Sequence, residues 1–167
     1  MKAIARNRST IPLTCAAVNL SITLSVIILS GSPYDMLHKF NATDIIPPIW
    51  IFNIFTTIWA FIIGYTAGYV IYGTSHIRQR IEISLNACKG GIFFVSFTFL
   101  YHIWYPLFFI AERPLISLLI SIFAIVCAAV CSFFWTKISG YVSLTIAAYA
   151  LWLSYISFVN LSLIFHN

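Results

Sequence analysis

Charge is what this chain has least of. Its 167 residues include nine Lys and Arg and four Asp and Glu, 8% in all, where a soluble domain carries roughly a quarter. So few charges cannot clothe a water-facing surface. With 61% apolar residues and a mean hydropathy of +0.97, the soluble globular, disordered and fibrous classes are excluded, and the solvent is lipid. No carboxylate falls inside a long apolar run, and neither a Gly-rich phosphate loop nor an HExxH is present. Paired acid and base work at membrane depth is thereby excluded, no catalytic residue is nominated, and no enzymatic activity is expected. Cys15, Cys88, Cys127 and Cys131 form no CxxC pair and have no His at zinc spacing. They read as packing residues rather than metal ligands, with a redox pair at Cys127 and Cys131 as the alternative. No basic stretch interleaved with aromatics lies outside the apolar runs, so no nucleic-acid partner is expected.

Five uncharged runs are long enough to cross a bilayer core, which takes roughly 20 residues: 11–29, 45–72, 90–110, 115–135 and 141–165. They lack the alternation of membrane-barrel strands and exceed the roughly 10 residues that such strands use. The expected fold is therefore all-α, a five-helix transmembrane bundle forming one domain over residues 1–167. The first run, flanked by Lys2, Arg6, Arg8 and Ser30-Gly31-Ser32, also has a signal-peptide reading. Its apolar stretch exceeds the roughly 7–15 residues of a signal core, and it is kept as a span. Lys2, Arg6, Arg8, Arg78, Arg80, Lys89 and Lys137 fall on one side and only Lys39 and Arg113 on the other. The positive-inside rule then puts the N-terminus in the cytoplasm. The net charge of +5 is matched to anionic headgroups of the bilayer.

Within the spans a few residues stand out. Gly64 and Gly68 form a GxxxG, read either as an internal packing face or as a homodimer face. Ser117, Ser121, Ala124, Ala128 and Ser132 make a small-residue stripe in the fourth span. His102 is an ionisable group in the third; a hydrogen bond to a neighbouring carbonyl or a lipid headgroup is preferred over proton relay or haem ligation. Of four N-glycosylation matches, only Asn41, between the first two spans, is topologically reasonable. The aromatics, 15 Phe, 9 Tyr and 5 Trp, exceed what two interfacial belts need. Phe97, Tyr101, Trp104 and Phe108 recur at four, three and four. Tyr149, Trp152, Ile156 and Asn160 share a face of the fifth span, and the Asn amide needs a partner away from lipid. Two such faces either enclose a flat ring or fill a solid core, and periodicity alone leaves both open.

Pro47-Pro48-Ile49-Trp50-Ile51-Phe52, with Thr57 and Gly64 after it, resembles the PPxWxF motif of the translocator protein, or tryptophan-rich sensory protein, family. Trp104-Tyr105-Pro106-Leu107-Phe108-Phe109 is similar to that family's WxPxFF run. Tyr149, Trp152, Ser154 and Asn160 match its fifth-helix PYLxWVSFAxxLN run, and the resemblance covers residues 33–167. It implies a membrane receptor or transport protein that holds a flat hydrophobic ligand of the porphyrin or tetrapyrrole class inside the bundle, beneath a lid formed by residues 31–46. No cofactor is obligatory; porphyrin or haem would be the ligand. The residues at the matching positions are Pro47, Trp50, Tyr101, Trp104, Phe108, Tyr149, Trp152, Ile156 and Asn160. His38, Lys39 and Arg113, on the lid side, would meet ligand carboxylates or simply be solvated. The chain departs from the pattern at Thr56, where a Trp is usual, at Ala60 for Tyr, at Tyr101 for Asn and at Ile156 for Ala. The loss of one indole disfavours porphyrin breakdown, and Leu161 and Phe165, in the Tyr and Arg places of the sterol motif, remove sterol binding from the expectation. The alternative function is a membrane scaffold with a solid aromatic core.

Overall fold

The computed structural model describes the backbone of residues 2–30, 48–76 and 81–165. The described residues form five helices: α1 (Lys2–Leu29), α2 (Ile49–His76), α3 (Ile81–Phe109), α4 (Pro114–Thr136) and α5 (Gly140–Phe165). All five are long and apolar enough to cross a membrane, and helices satisfy every internal backbone group without water. Large apolar side chains such as Ile58, Phe99, Phe123 and Leu151 face outward, as a lipid solvent permits.

Two helices begin well before the expected spans. α1 starts at Lys2 rather than 11, and α3 at Ile81 rather than 90. Charge marks where hydrocarbon ends, not where the helix ends. Lys89 is exposed and its Nζ lies 5.8 Å from the Phe134 ring centre, its long stem carrying the charge outward while the helix continues beneath it. Pro48 precedes α2 and its carbonyl accepts from Ile51 N–H at 2.8 Å, so α2 begins at Ile49 rather than 45. Between α3 and α4, Glu112 adopts φ 50 and Pro114 opens the next helix, where its missing N–H costs nothing.

The helices form two closely packed blocks. In one, α1 lies along α2: Gly64 faces Cys15 and Ala16, and Gly68 faces Pro12. The GxxxG therefore packs internally. In the other block α4 lies between α3 and α5, through Ser117, Ser121, Ala124, Ala128 and Cys131, all buried. The stripe read in the sequence is this contact, except that it continues through Cys131 and Trp135 while Ser132 sits at its edge. Trp135 lies over Gly90, whose missing Cβ makes room for the indole. All four cysteines are free.

Hydroxyls pin α4 to α5. Ser157 donates to Ser121 Oγ at 2.8 Å, and the Ser132 and Ser143 hydroxyls are 2.8 Å apart. Ser157→Ala is expected to lower stability by about 0.6 kcal/mol, the usual worth of one interhelical hydrogen bond in a bilayer protein. Reversible unfolding in mixed micelles would measure it. His102 joins the blocks in the same way. Its Nδ1–H donates to Thr98 O at 2.7 Å, so Nε2 is left to accept from the Thr23 hydroxyl of α1 at 3.0 Å. This is the carbonyl bond expected from the sequence, with a cross-helix partner added.

Candidate ligand-binding site

Between the two blocks the helices touch mainly through side chains, and most of these are aromatic. The seam is built from the inner faces of α2, α3 and α5. On α3 the four-three-four spacing brings Phe97, Tyr101, Trp104 and Phe108 to one side, all at most 6% exposed. On α5 the same geometry aligns Tyr149, Ile156 and Asn160, also buried, with Trp152 half-buried. On α2 the inner residues are Phe52 and Thr56, and Trp50 is 64% exposed. Positions two apart on a helix point to opposite sides, so Phe52 occupies the seam and Trp50 faces outward at the membrane boundary, where indoles are common. Of the nine expected residues, seven thus gather in one seam and Trp50 does not. Pro47 lies outside the described residues, as do the lid segment with His38, Lys39 and Asn41; Arg113 caps α4, exposed.

The seam rings lie against one another. Trp104 stacks on Tyr101 with centroids 6.0 Å apart and on Phe108 at 5.0 Å. Trp152 is flanked by Phe52 at 5.4 Å and Phe55 at 5.8 Å, and Tyr149 meets Tyr101 edge-on at 6.0 Å. Tyr101 and Thr56, two of the departures from the family pattern, are bonded to each other: the Tyr101 hydroxyl donates to Thr56 Oγ1 at 3.1 Å. Where the pattern has a large residue on α2 and a small amide on α3, this chain has the reverse, and the pair still meets.

Three polar atoms in the seam are buried without a hydrogen-bond partner among the described residues: Trp104 Nε1, Trp152 Nε1 and Asn160 Oδ1. The Trp152 N–H lies close to Tyr101 Oη but closes no bond of good geometry with it. Asn160 satisfies only its amide group, donating to Ile156 O at 3.0 Å within its own helix. The site thus offers two indole donors and one carbonyl acceptor among flat rings. Next to it Tyr105 donates to Asn53 Oδ1 at 2.9 Å, tying α3 to α2. Sequence reasoning missed that bond, although Asn53, an amide inside a span, carries the same signal that singled out Asn160. Two cavities, of 580 and 410 Å³, lie elsewhere, and neither is lined by Trp104, Trp152 or Asn160.

Comparison with curated proteins and with solved structures returned no match. A family model does match, that of the TspO/MBR family, over residues 11–166. Five membrane-spanning helices, the three motifs in order and a match over nearly the whole chain agree, and the protein belongs to the TspO/MBR family.

Proposed function

We propose that this membrane protein is a receptor or carrier for a flat, apolar ligand of the tetrapyrrole class, held in the seam between α2, α3 and α5. The observation that carries the reading is the set of unpartnered polar atoms among the rings. Each such buried group costs about 1–3 kcal/mol while unpaired. Two indole N–H donors and an Asn carbonyl complement a ring that has both acceptors and pyrrole N–H groups. Room for the ligand comes from separation of the seam rings, since the two blocks meet there through side chains rather than close backbones. The protein binds without chemical turnover: among the described residues the seam carries no carboxylate, His or Cys, and its hydroxyls are those of Thr56, Tyr101 and Tyr149.

Titration of the purified protein with protoporphyrin IX, followed by Trp fluorescence, tests the proposal. Saturable quenching is expected, weakened about tenfold or more in Trp152→Ala, which removes one flat wall and one donor, with the porphyrin recovered unchanged. A second reading, a scaffold with a filled core, is favoured by the rings already being in mutual contact. Unsaturable quenching that ignores the Trp152 substitution would select it.

The orientation we propose is N-terminus inside, from the seven-to-two division of basic residues. A tag at the N-terminus is expected to survive protease added to intact cells and to be lost once they are permeabilised. Loss before permeabilisation would reverse the assignment.

A further inference from the structure

Around His102 the polar contacts outnumber the hydrogens that a neutral ring can supply. Its Nδ1 lies 2.7 Å from Thr98 O and its Nε2 3.0 Å from Thr23 Oγ1. Thr23 Oγ1 is in turn 3.0 Å from Asn19 O. Thr98 O and Asn19 O are carbonyls and only accept, so three contacts call for three hydrogens, and a neutral imidazole with one hydroxyl brings two. A proton on Nε2 closes the set. Nδ1–H then donates to Thr98 O, Nε2–H to Thr23 Oγ1, and the Thr23 hydroxyl to Asn19 O, with no heavy atom displaced.

These contacts bridge the two blocks. The Asn19 amide donates to Ala60 O of α2 at 2.7 Å, which seats this turn of α1 on α2, while Thr98 stands one turn before His102 on α3. From α1 only Asn19 and Thr23 are bonded around the ring, and neither titrates. On α3 the titratable neighbour is Tyr101, edge-on at 6.1 Å, its hydroxyl turned away to Thr56 of α2. No Asp, Glu, Lys or Arg occurs in residues 10–29, 49–76, 90–109, 114–136 or 140–165. A charge buried without a counter-ion is costly, and here two oxygen acceptors offset the cost. His102 also lines the 410 Å³ hollow that extends to Ile110 and Ala111. Nine helical residues rise about 13 Å, so the hollow leads from the ring to the end of α3, where Glu112 and Arg113 follow.

We propose that His102 is a proton-binding site whose proton latches the two blocks together. Hydrogen bonds to a charged group are roughly twice as strong as neutral ones, and separating the blocks would withdraw Thr23 and turn Nε2–H toward hydrocarbon. The role of the latch rests on the tetrapyrrole reading above: the seam opens by separation of the same two blocks, so acid opposes ligand entry and, by linkage, ligand entry releases the proton.

Ring-nitrogen NMR of the full chain with isotope-labelled histidine, in lipid nanodiscs and without ligand, tests the site. The signal missing from His102→Gln identifies the ring. Hydrogen is expected on Nδ1 alone at about pH 8 and on both nitrogens at about pH 5. Thr23→Val removes one acceptor at nearly constant shape, and about tenfold more acid should then be needed for the same protonation, the worth of one hydrogen bond to a charged group. Should Thr23→Val not fold, Thr23→Ala against Thr23→Ser makes the same comparison. A ring that stays neutral at about pH 5, or a titration indifferent to loss of the hydroxyl, overturns the proposal. Octaethylporphyrin, which carries no carboxylate, then reads the latch through Trp fluorescence. Its affinity is expected to be about fivefold weaker at about pH 5 than at about pH 8, within the usual range of coupling between sites, and His102→Gln should abolish the difference. The same pH dependence in both proteins overturns the latch. Absence of saturable binding at either pH overturns the tetrapyrrole reading instead, and the proton site is then decided by the NMR titration alone.

Discussion

Replacing Gly68 with alanine is expected to destabilise the protein by about 1–3 kcal/mol, the range for an over-packed interior. A Cβ at that position would stand 2.5 Å from Pro12 Cα and 2.9 Å from Ile11 O. Gly64 is in the same situation, 2.7 Å from Cys15 O and 2.8 Å from Ala16 Cα. These neighbours are backbone, so no side chain can rotate aside and α1 itself must move off α2. In lipid no large hydrophobic term holds the pair together; close approach over small residues does, and it is lost. Gly91→Ala, with open space around the new methyl, should be neutral or slightly stabilising because alanine is the better helix former. Unfolding of the three variants in mixed micelles checks the ranking. Equal stability of Gly68→Ala and Gly91→Ala would mean that the close contact contributes nothing.

Thr56 and Tyr101 should prove strongly coupled. Thr56 is 1% exposed and Tyr101 6%, and Tyr101 is held between Trp104 and Tyr149. Thr56→Trp alone forces an indole into space that the phenol fills, at about 1–3 kcal/mol or more. Tyr101→Asn alone empties that space and breaks the hydrogen bond, at about 3 kcal/mol by analogy with other large-to-small core changes. Making both changes restores the large and small partners in their family positions. The double variant is expected to be more stable than the sum of the singles by about 0.5–3 kcal/mol, the range seen for residues in contact. Simple additivity would show that the two departures arose independently of each other's volume.

The number of helices was legible because it depends only on the lengths of uncharged runs. The inward faces of α3 and α5 were legible too, because Phe97 through Phe108 and Tyr149 through Asn160 hold helical spacing with residues too large or too polar to be indifferent to their surroundings. The face of α2 was not. That helix is apolar on every side, Ile58 and Phe61 facing lipid as Phe52 and Ile63 face the interior, so periodicity gives it no direction and motif matching selected Trp50 instead of Phe52. Polar residues would have been the better guide. Asn19 donates to Ala60 O at 2.7 Å and Thr23 meets His102, and these two residues, four apart on α1, mark the side that the rest of the bundle covers. The state of the seam could not be read in advance, because the same aromatic spacing serves stacked rings and rings that line a hollow.

The shortest of the described helices limits how thick a membrane the protein can span. α4 has 23 residues and is bracketed by Arg113 and Lys137, giving a rod of about 35 Å against a hydrocarbon layer of about 30 Å. The other four, of 26 to 29 residues, have length to spare. Wedged between α3 and α5, α4 acts as a ruler. A hydrocarbon layer thicker than about 35 Å would draw its two terminal cations toward the acyl chains, and tilting would only shorten its reach, so such lipid would have to thin to meet it. A single element thereby sets the upper limit of bilayer thickness that the molecule crosses without deforming the lipid.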